Sequence, residues 1–538
     1  MRQYLNFGRF SQNKNIPHTE PIPGKSMQPN NAGAFSFSVD DETRLKRFLI
    51  LGSANGTYYV QSRELTKQNL DVVERMLQQG RGREVVSIIV EISQAGRAAS
   101  NDPALFALAR CAAADDVEVR RYALSVLPQV ARTGTHLLHF VAYTKQFRGW
   151  GRAYRNAVAS WFNNRQEKNL AYQLLKYQNR DGYRQRDLLR LAHPKGETST
   201  YNTLYHWVTK GWESVGEEPH PDPALQIIWA YERAKTAQDD AEVARLISQY
   251  KLPREAVPTQ HLHSVKVWEA LLEDMPMEAM MRNLATMTKE GVITPMGENT
   301  KRIAARLRDE DAIKRARLHP IKILAALSTY ISGKGALGQN TWNPVPQIAD
   351  ALNDAFYLSF ANVEPTNKRI LLAIDTSGSM HMSMVNGIPN MSLHAACGAM
   401  ALTLLKTEPN VQVIGVDTSI HHLTISASQR LDDVVRTLKG IGGGGTSLSL
   451  PMLHALQDKL FVDAFIILTD SESWHGAHPS ALLEQYRHLI NPEAKIINVQ
   501  MTATHVTNND PNDRRALDCV GFDTNVPSII SGFLTGEL

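Results

Sequence analysis

Ile370-Leu-Leu-Ala-Ile-Asp375-Thr-Ser377-Gly-Ser379-Met380 decides how the rest of the chain is read. Five apolar residues run without a polar break and then give way to Asp, Ser and Gly. An unbroken apolar run fits a parallel strand covered on both faces. Oxygen-bearing side chains at its carboxyl end stand where an open α/β sheet places its binding site. Further strands are expected at 411–417, 421–425, 462–469 and 494–501, after one at 369–375. Helices are expected between and after them at 392–406, 430–439, 449–459, 479–490 and 526–534. This alternation predicts an α/β doubly wound domain over 363–538, with a mostly parallel sheet between helical layers.

N-terminal to that strand the period changes. Residues 1–40 are rich in Asn, Gln, Pro and Gly and read as a flexible arm. A first helix starts near Asp41 and ends at Gly52, and Gly56-Thr-Tyr-Tyr59 reads as a turn with a short extended piece. From residue 64 to about 360 the pattern is helix, short loop, helix, with Gly, Pro or Asp at many breaks. One of these helices is expected over 117–132. So many helices in series predict an α-solenoid of HEAT-like pairs over 41–362. No clean sequence period is present, so an irregular all-α domain is the alternative. Residues 361–367 form the junction.

A chain of 538 residues is too long for one core. Its net charge of +4 conceals an asymmetry: residues 369–538 carry −6 and residues 1–368 carry +10. An anionic partner is therefore expected for the helical part alone. The three cysteines, Cys111, Cys397 and Cys519, are far apart and form no CxxC, which fits a reducing compartment rather than a disulfide framework or zinc site. No apolar run approaches a membrane span and no secretory signal is visible, so the expected location is cytoplasmic, away from membranes.

Three pieces of the C-terminal part converge. They are Asp375-x-Ser377-x-Ser379, Thr446 directly after Gly442-Gly-Gly-Gly445, and Asp470 at the end of Phe465-Ile-Ile-Leu-Thr469. Each falls at the carboxyl end of an expected strand or in a loop at that edge. Mg²⁺ takes about six oxygen ligands at roughly 2.1 Å and keeps several waters. Hydroxyls and two carboxylates supply such oxygens, and few direct carboxylates leave the ion electrophilic toward an acidic group of a partner. The alternative is a turn-rich loop edge holding no metal. This constellation resembles the von Willebrand factor A domain with its metal-ion-dependent adhesion site. The resemblance implies Ser377, Ser379 and Thr446 as direct ligands, with Asp375 and Asp470 acting mainly through water.

Residues 145–210 hold 13 Lys and Arg against four Asp and Glu, a local charge of +9. Aromatic residues are interleaved. Cations neutralise phosphates, and aromatic faces stack on unpaired bases. Trp161, Phe162, Tyr172 and Trp207 fall at helical spacing and read first as core. Arg148, Arg152, Arg155, Lys176, Arg180, Arg186, Arg190 and Lys195 are the candidate phosphate contacts. His193 precedes Pro194, which ends the helix there. Beside Arg190 and Lys195 it is either a solvent-facing histidine or a phosphate or base-edge contact.

Gly56-Thr-Tyr-Tyr59, Gly80-Arg-Gly-Arg-Glu-Val85, Trp150-Gly-Arg-Ala-Tyr-Arg155, Asp187-Leu-Leu-Arg-Leu-Ala-His-Pro194 and Leu318-His-Pro320 together resemble the TROVE module of the Ro sixty-kilodalton autoantigen family. The resemblance implies a ring of HEAT-like repeats closed by the α/β domain, in a monomeric protein. It implies Y RNA on an outer basic surface, with Lys176, Arg180 and His193 among the contacts. It also implies single-stranded 3′ ends of misfolded or precursor RNAs in a central hole, and an exoribonuclease tethered through Y RNA. The competing reading is a metal-dependent adhesion module without a primary RNA function, which leaves the basic segment unexplained. An enzyme is not expected. No GxxxxGK[ST] motif exists, and Gly442–Gly445 is followed by Thr-Ser.

Overall fold

The computed structural model describes residues 16–30, 33–38, 40–52, 62–98, 100–212, 218–316, 318, 320–335, 340–359, 365–382, 392–470, 473–501, 506–520 and 526–536. Gly56-Thr-Tyr-Tyr59, His319 and most of the junction lie outside the described residues. The helical part runs from Asp41–Leu51 to Pro346–Leu358. Asp40, Asp116, Thr133, Thr198 and Asp239 each accept a backbone N–H of the helix that follows. These caps satisfy donors that a first turn leaves without partners. The helix expected over 117–132 is two, Val117–Ser125 and Leu127–Val130. Pro128 has no N–H for a continuing helix and sits instead in the first turn of a new one.

Apolar faces of successive helices bury into one core. Val85, Val86, Ile89 and Ile92 of Gly82–Ala95 belong to it, as do Trp161, Phe162 and Trp268 further along. Their burial is the main stabilising term, about 1.5–3 kcal/mol per large apolar side chain. The array bends on itself, so that Ile92 near its start and Lys322 near its end line the same cavity of about 870 Å³. Both ends of the array also meet the α/β domain. In the first helix Arg47, fully buried, donates to the Val506 carbonyl at 2.8 Å and reaches Asp518 at 3.4 Å. In the last helix Asp350 pairs with Arg430 at 2.9 Å, and Lys406 lies 4.0 Å over the Tyr357 ring.

Among the described residues the C-terminal sheet has six strands, in the order Ala516–Val520, Lys495–Gln500, Ala464–Thr469, Ile370–Asp375, Val411–Val416, Ile420–His422. All neighbours are parallel except the last pair. Ile370, Leu372 and Ile374 face the core shared with the helical array. Leu371 and Ala373 face a second core containing Leu482, Leu483 and Tyr486. The central strand is thus covered on both sides, which is why it needed no polar residue before Asp375. The edge strand Ala516–Val520 was not expected from the sequence. Asp518 interrupts its apolar pattern, and that carboxylate is held by Thr507 and Asn509 as well as Arg47.

The free arm expected over residues 1–40 needs correction where it is described. Phe35–Ser38 pairs antiparallel with Val506–Thr507 and with Gln28–Pro29. Pro17 forms a bridge with Ala477, and Lys25 pairs with Asp510 at 2.6 Å. Its polar residues find partners on the C-terminal domain, and so composition alone misreads it. His18 and His478 meet edge to face with ring centres 4.8 Å apart, and Phe37 packs on His478.

Burial, with some repulsion from His478, lowers the His18 imidazole to about 3. Burial also lowers His478 to about 4. Both values lie below the unfolded value near 6.5, so in that window the unfolded chain binds more protons. The stability from these neutral rings is complete above about pH 6.5 and is lost as pH falls toward the depressed values. At pH 5 the loss is at most about 2 kcal/mol per ring. Thermal unfolding at pH 7.5 and 5.0 should show the decrease, and His18→Asn with His478→Asn should make it smaller by these two rings' share, buried His136 and His394 supplying a further part.

Candidate functional site

The chain leaves Ile370–Asp375 for Val411–Val416 on one side and returns to Ala464–Thr469 on the other. Such a switch point opens a crevice at the carboxyl ends of the strands. It brings Asp375 and Asp470 together. Both are fully buried, and Ser377, Ser379 and Thr446 are buried with them. Asp375 accepts the Ser377 N–H at 3.0 Å through one oxygen and the Thr469 hydroxyl at 2.7 Å through the other. The Ser377 and Ser379 hydroxyls are 3.0 Å apart. Burial, and then the charge of Asp470, pushes the Asp375 carboxyl up to about 7.

The glycine run lies over this loop. Gly443 N–H donates to the Thr376 carbonyl at 2.8 Å, and Gly378 N–H donates to the Gly444 carbonyl at 3.0 Å. Asp417 holds the run from the far side, accepting Gly444 N–H on its carboxylate and Ser447 N–H on its carbonyl. Asp417 has no counterpart in the sequence reading, although its place at the end of Val411–Val416 was a usable signal. Gly442 has φ +74°, and a Cβ there would lie 2.2 Å from the Thr376 carbonyl oxygen. Gly442→Ala is therefore expected to lower stability by about 2 kcal/mol or more, measurable as a reduced denaturant midpoint.

The donors that meet here are the Ser377 and Ser379 hydroxyls and the Asp375 and Asp470 carboxylates, with buried Thr446 directly after the glycine run. Among the described residues no group of three or more His, Cys, Asp or Glu is placed to hold a metal. An all-oxygen set with two buried carboxylates that repel each other suits a hard divalent cation. The residues present therefore fit Mg²⁺.

The second place is the 870 Å³ cavity of the helical array. Lys176 and Arg180 line it, together with Arg132, His136, His139, Arg282 and Lys322 and the acids Asp102, Glu255 and Glu278. Lys176 closes the helix Glu167–Lys176, and Arg180 belongs to the hairpin formed by Asn179–Arg180 and Tyr183–Arg184. Lys176 Nζ donates to the Tyr172 hydroxyl at 3.1 Å and lies over the Tyr172 and Tyr177 rings. Burial acts to lower its pKa, but Tyr172, Tyr177 and Glu255 outweigh it, so Lys176 holds its proton more firmly than usual. Glu278, 3.2 Å from Lys322, has its pKa lowered by Lys322 and Arg282 against the effect of burial.

A smaller cavity of about 400 Å³ adjoins this one. The two share Gln178, Asn179 and Tyr231, and the smaller one carries Arg184, Arg186, Lys210 and Lys235. The sequence-predicted cations are thus divided among three places. Lys176 and Arg180, which the resemblance implied as Y RNA contacts on an outer surface together with His193, line the large cavity while His193 does not, and Arg186 faces the small one. Arg148, Arg152, Arg155, Arg190, His193 and Lys195 are exposed and line neither. The helix Gln185–Ala192 ends at His193, whose φ of +49° turns the chain before Pro194. Trp161, Phe162 and Trp207 are core, while Tyr172 is half-buried under Lys176. Arg132, Arg282 and Lys322 were missed because they lie outside the basic segment, and only the closing of the array brings them opposite it.

Residues 28–331 match the family model of the TROVE domain, and residues 369–534 match that of the Ro60 vWA domain. The chain belongs to the Ro60 family. It is 38% identical over 528 residues to the RNA-binding protein RO60 of Deinococcus radiodurans, covering 97% of this chain and 98% of that protein. It is 33% identical over 599 residues to the RNA-binding protein RO60 of Caenorhabditis elegans, covering 98% and 92%. The crystal structure of the Deinococcus radiodurans RO (RSR) protein matches the fold with a TM-score of 0.71 at 37% identity, over 93% of this chain and all of that one. The TROVE match begins at residue 28, inside the N-terminal segment that docks on the C-terminal domain.

Proposed function

We propose that this chain is an RNA-binding protein of non-coding RNA quality control and maturation. It takes the unpaired 3′ end of a misfolded or precursor RNA into the large cavity and holds Y RNA on its exposed basic surface. One observation carries the reading: Lys176 and Arg180 share the cavity with Arg132 from a loop and with Arg282 and Lys322 from later helices, cations of segments far apart in sequence. Converging cations around a polar cavity open to solvent suit a phosphodiester strand. Arg186 and Lys210 in the adjoining cavity, and exposed Arg190, His193 and Lys195, extend the cationic surface outward. The family relationship supports the same reading, since two relatives bear the name RNA-binding protein. In this reading one chain suffices to surround the cavity, as a monomeric ring in the cytoplasm. Among the described residues no helix is long and apolar enough to cross a membrane. An exoribonuclease tethered through Y RNA is the further partner.

The oxygen-donor site holds Mg²⁺ in this reading, with Ser377, Ser379 and Thr446 as ligands and Asp375 and Asp470 acting through water. The ion supplies a Lewis-acidic position for an acidic side chain of a protein partner. Ser377 and Ser379 present hydroxyls, and Thr469 fixes Asp375. Gel shifts with and without EDTA, on an RNA with and without an unpaired 3′ tail, test the division. Binding should survive chelation, fall with added salt and strengthen with the tail. Binding lost on chelation would overturn the division, and no RNA binding with or without EDTA would favour the adhesion reading instead.

A further inference from the structure

The loop Ser473–His478 lies between the N-terminal segment and the oxygen-donor site. On one side it grips Thr446, whose carbonyl accepts from Trp474 N–H at 3.1 Å, His475 N–H at 2.8 Å and the Ser473 hydroxyl at 3.2 Å. On the other side it is held by the N-terminal segment. His18 N–H donates to the Gly476 carbonyl at 2.9 Å, His478 N–H to the Ile16 carbonyl at 3.2 Å, and Asn30 Nδ2 to the Ser473 carbonyl at 2.7 Å.

Ser473 Oγ joins the two sides. It lies 3.1 Å from His18 Nδ1 and accepts Leu448 N–H at 3.3 Å. His18 and Ser473 are fully buried, and Asn30 is nearly so. With the His18 proton on Nδ1, Ser473 Oγ accepts twice, and its one proton is committed to Thr446. Loop and glycine run also fit closely. A Cβ at Gly476 would lie 2.6 Å from Ser447 Oγ, and one at Gly445 would lie 2.4 Å from the Trp474 ring.

We propose that His18 and Asn30 of the N-terminal segment are positioning residues for the metal site, fixing Thr446 through Ser473 and its loop. The proposal rests on the Mg²⁺ reading above. Neither residue touches the ion; each restricts a group that holds a ligand. Outer partners of this kind commonly tune metal affinity by about tenfold or more.

Mg²⁺ titration calorimetry on the full-length protein tests it, with wild type, Ser377→Ala, His18→Ala, His18→Asn, Asn30→Ala and Lys25→Ala. His18→Ala and Asn30→Ala should each weaken Mg²⁺ about tenfold while RNA affinity is unchanged. His18→Asn keeps a donor toward Ser473 and should restore most of the loss. Lys25→Ala removes an ion pair that the same segment makes away from the loop, to Asp510, and should leave Mg²⁺ affinity unchanged. Wild-type binding that Ser377→Ala removes but His18→Ala and Asn30→Ala leave intact would overturn the proposal alone. No Mg²⁺ binding by wild type would overturn the metal reading and the proposal with it. If His18→Ala fails to fold, Asn30→Ala and His18→Asn decide between these outcomes.

Discussion

Replacing Lys176 and Arg180 together by alanine is expected to weaken binding of an RNA with an unpaired 3′ tail about a hundredfold at low salt. Each cation is worth about 1.5 kcal/mol or more as a charged hydrogen-bond donor to phosphate, and two give about 3 kcal/mol. The dependence of log affinity on log salt should also flatten by about two, one for each phosphate no longer neutralised. The effect should shrink for a tailless duplex, because both residues line the cavity, whereas exposed Arg190 and His193 at the end of the helix Gln185–Ala192 do not. His193→Ala should do the reverse, reducing binding of folded RNA with little dependence on the tail. Filter binding across a salt series, with tailed and tailless versions of one RNA, checks both. Unchanged affinity and slope for the double variant would remove the cavity from the RNA path.

Mg²⁺ at about one hundred times its dissociation constant is expected to stabilise the protein by about 2.7 kcal/mol, by mass action on the folded state. The unfolding midpoint should rise by several degrees, and EDTA should reverse the shift. Ser377→Ala deletes one hydroxyl donor and should erase most of it. RNA affinity should hold in the same variant, because the donor set sits at the carboxyl edge of the sheet and the RNA cavity in the helical array. Loss of RNA binding by a folded Ser377→Ala protein would contradict that separation.

The two parts of the chain were legible to different degrees. The strand Ile370–Asp375 announced itself because both faces are buried, which removes every polar residue until the site begins. The donor set was legible for a related reason: hydroxyls and carboxylates at strand ends have few structural uses together. The helices were legible from their period and caps. The strand Ala516–Val520 was not, since Asp518 answers to Arg47, some 470 residues away, and no local pattern records such a partner. The N-terminal segment was misread for the same reason: Asn30 and Lys25 look like solvent-facing residues until Ser473 and Asp510 arrive to meet them. Of the cations, the basic segment gave Lys176 and Arg180 but not Arg132, Arg282 or Lys322. Curvature of the array, which no short window of sequence contains, sets them opposite.

The docking of the first helix on the last strands has a consequence for synthesis. Arg47 leaves the ribosome 459 and 471 residues before Val506 and Asp518, the groups it meets. Until then a guanidinium meant for a dry interior has no seat, and the opening helix must linger half-assembled. Nascent chains should therefore be sensitive to protease around the helix Asp41–Leu51 until Asp518 has been made. A version cut after residue 368 would carry that defect permanently.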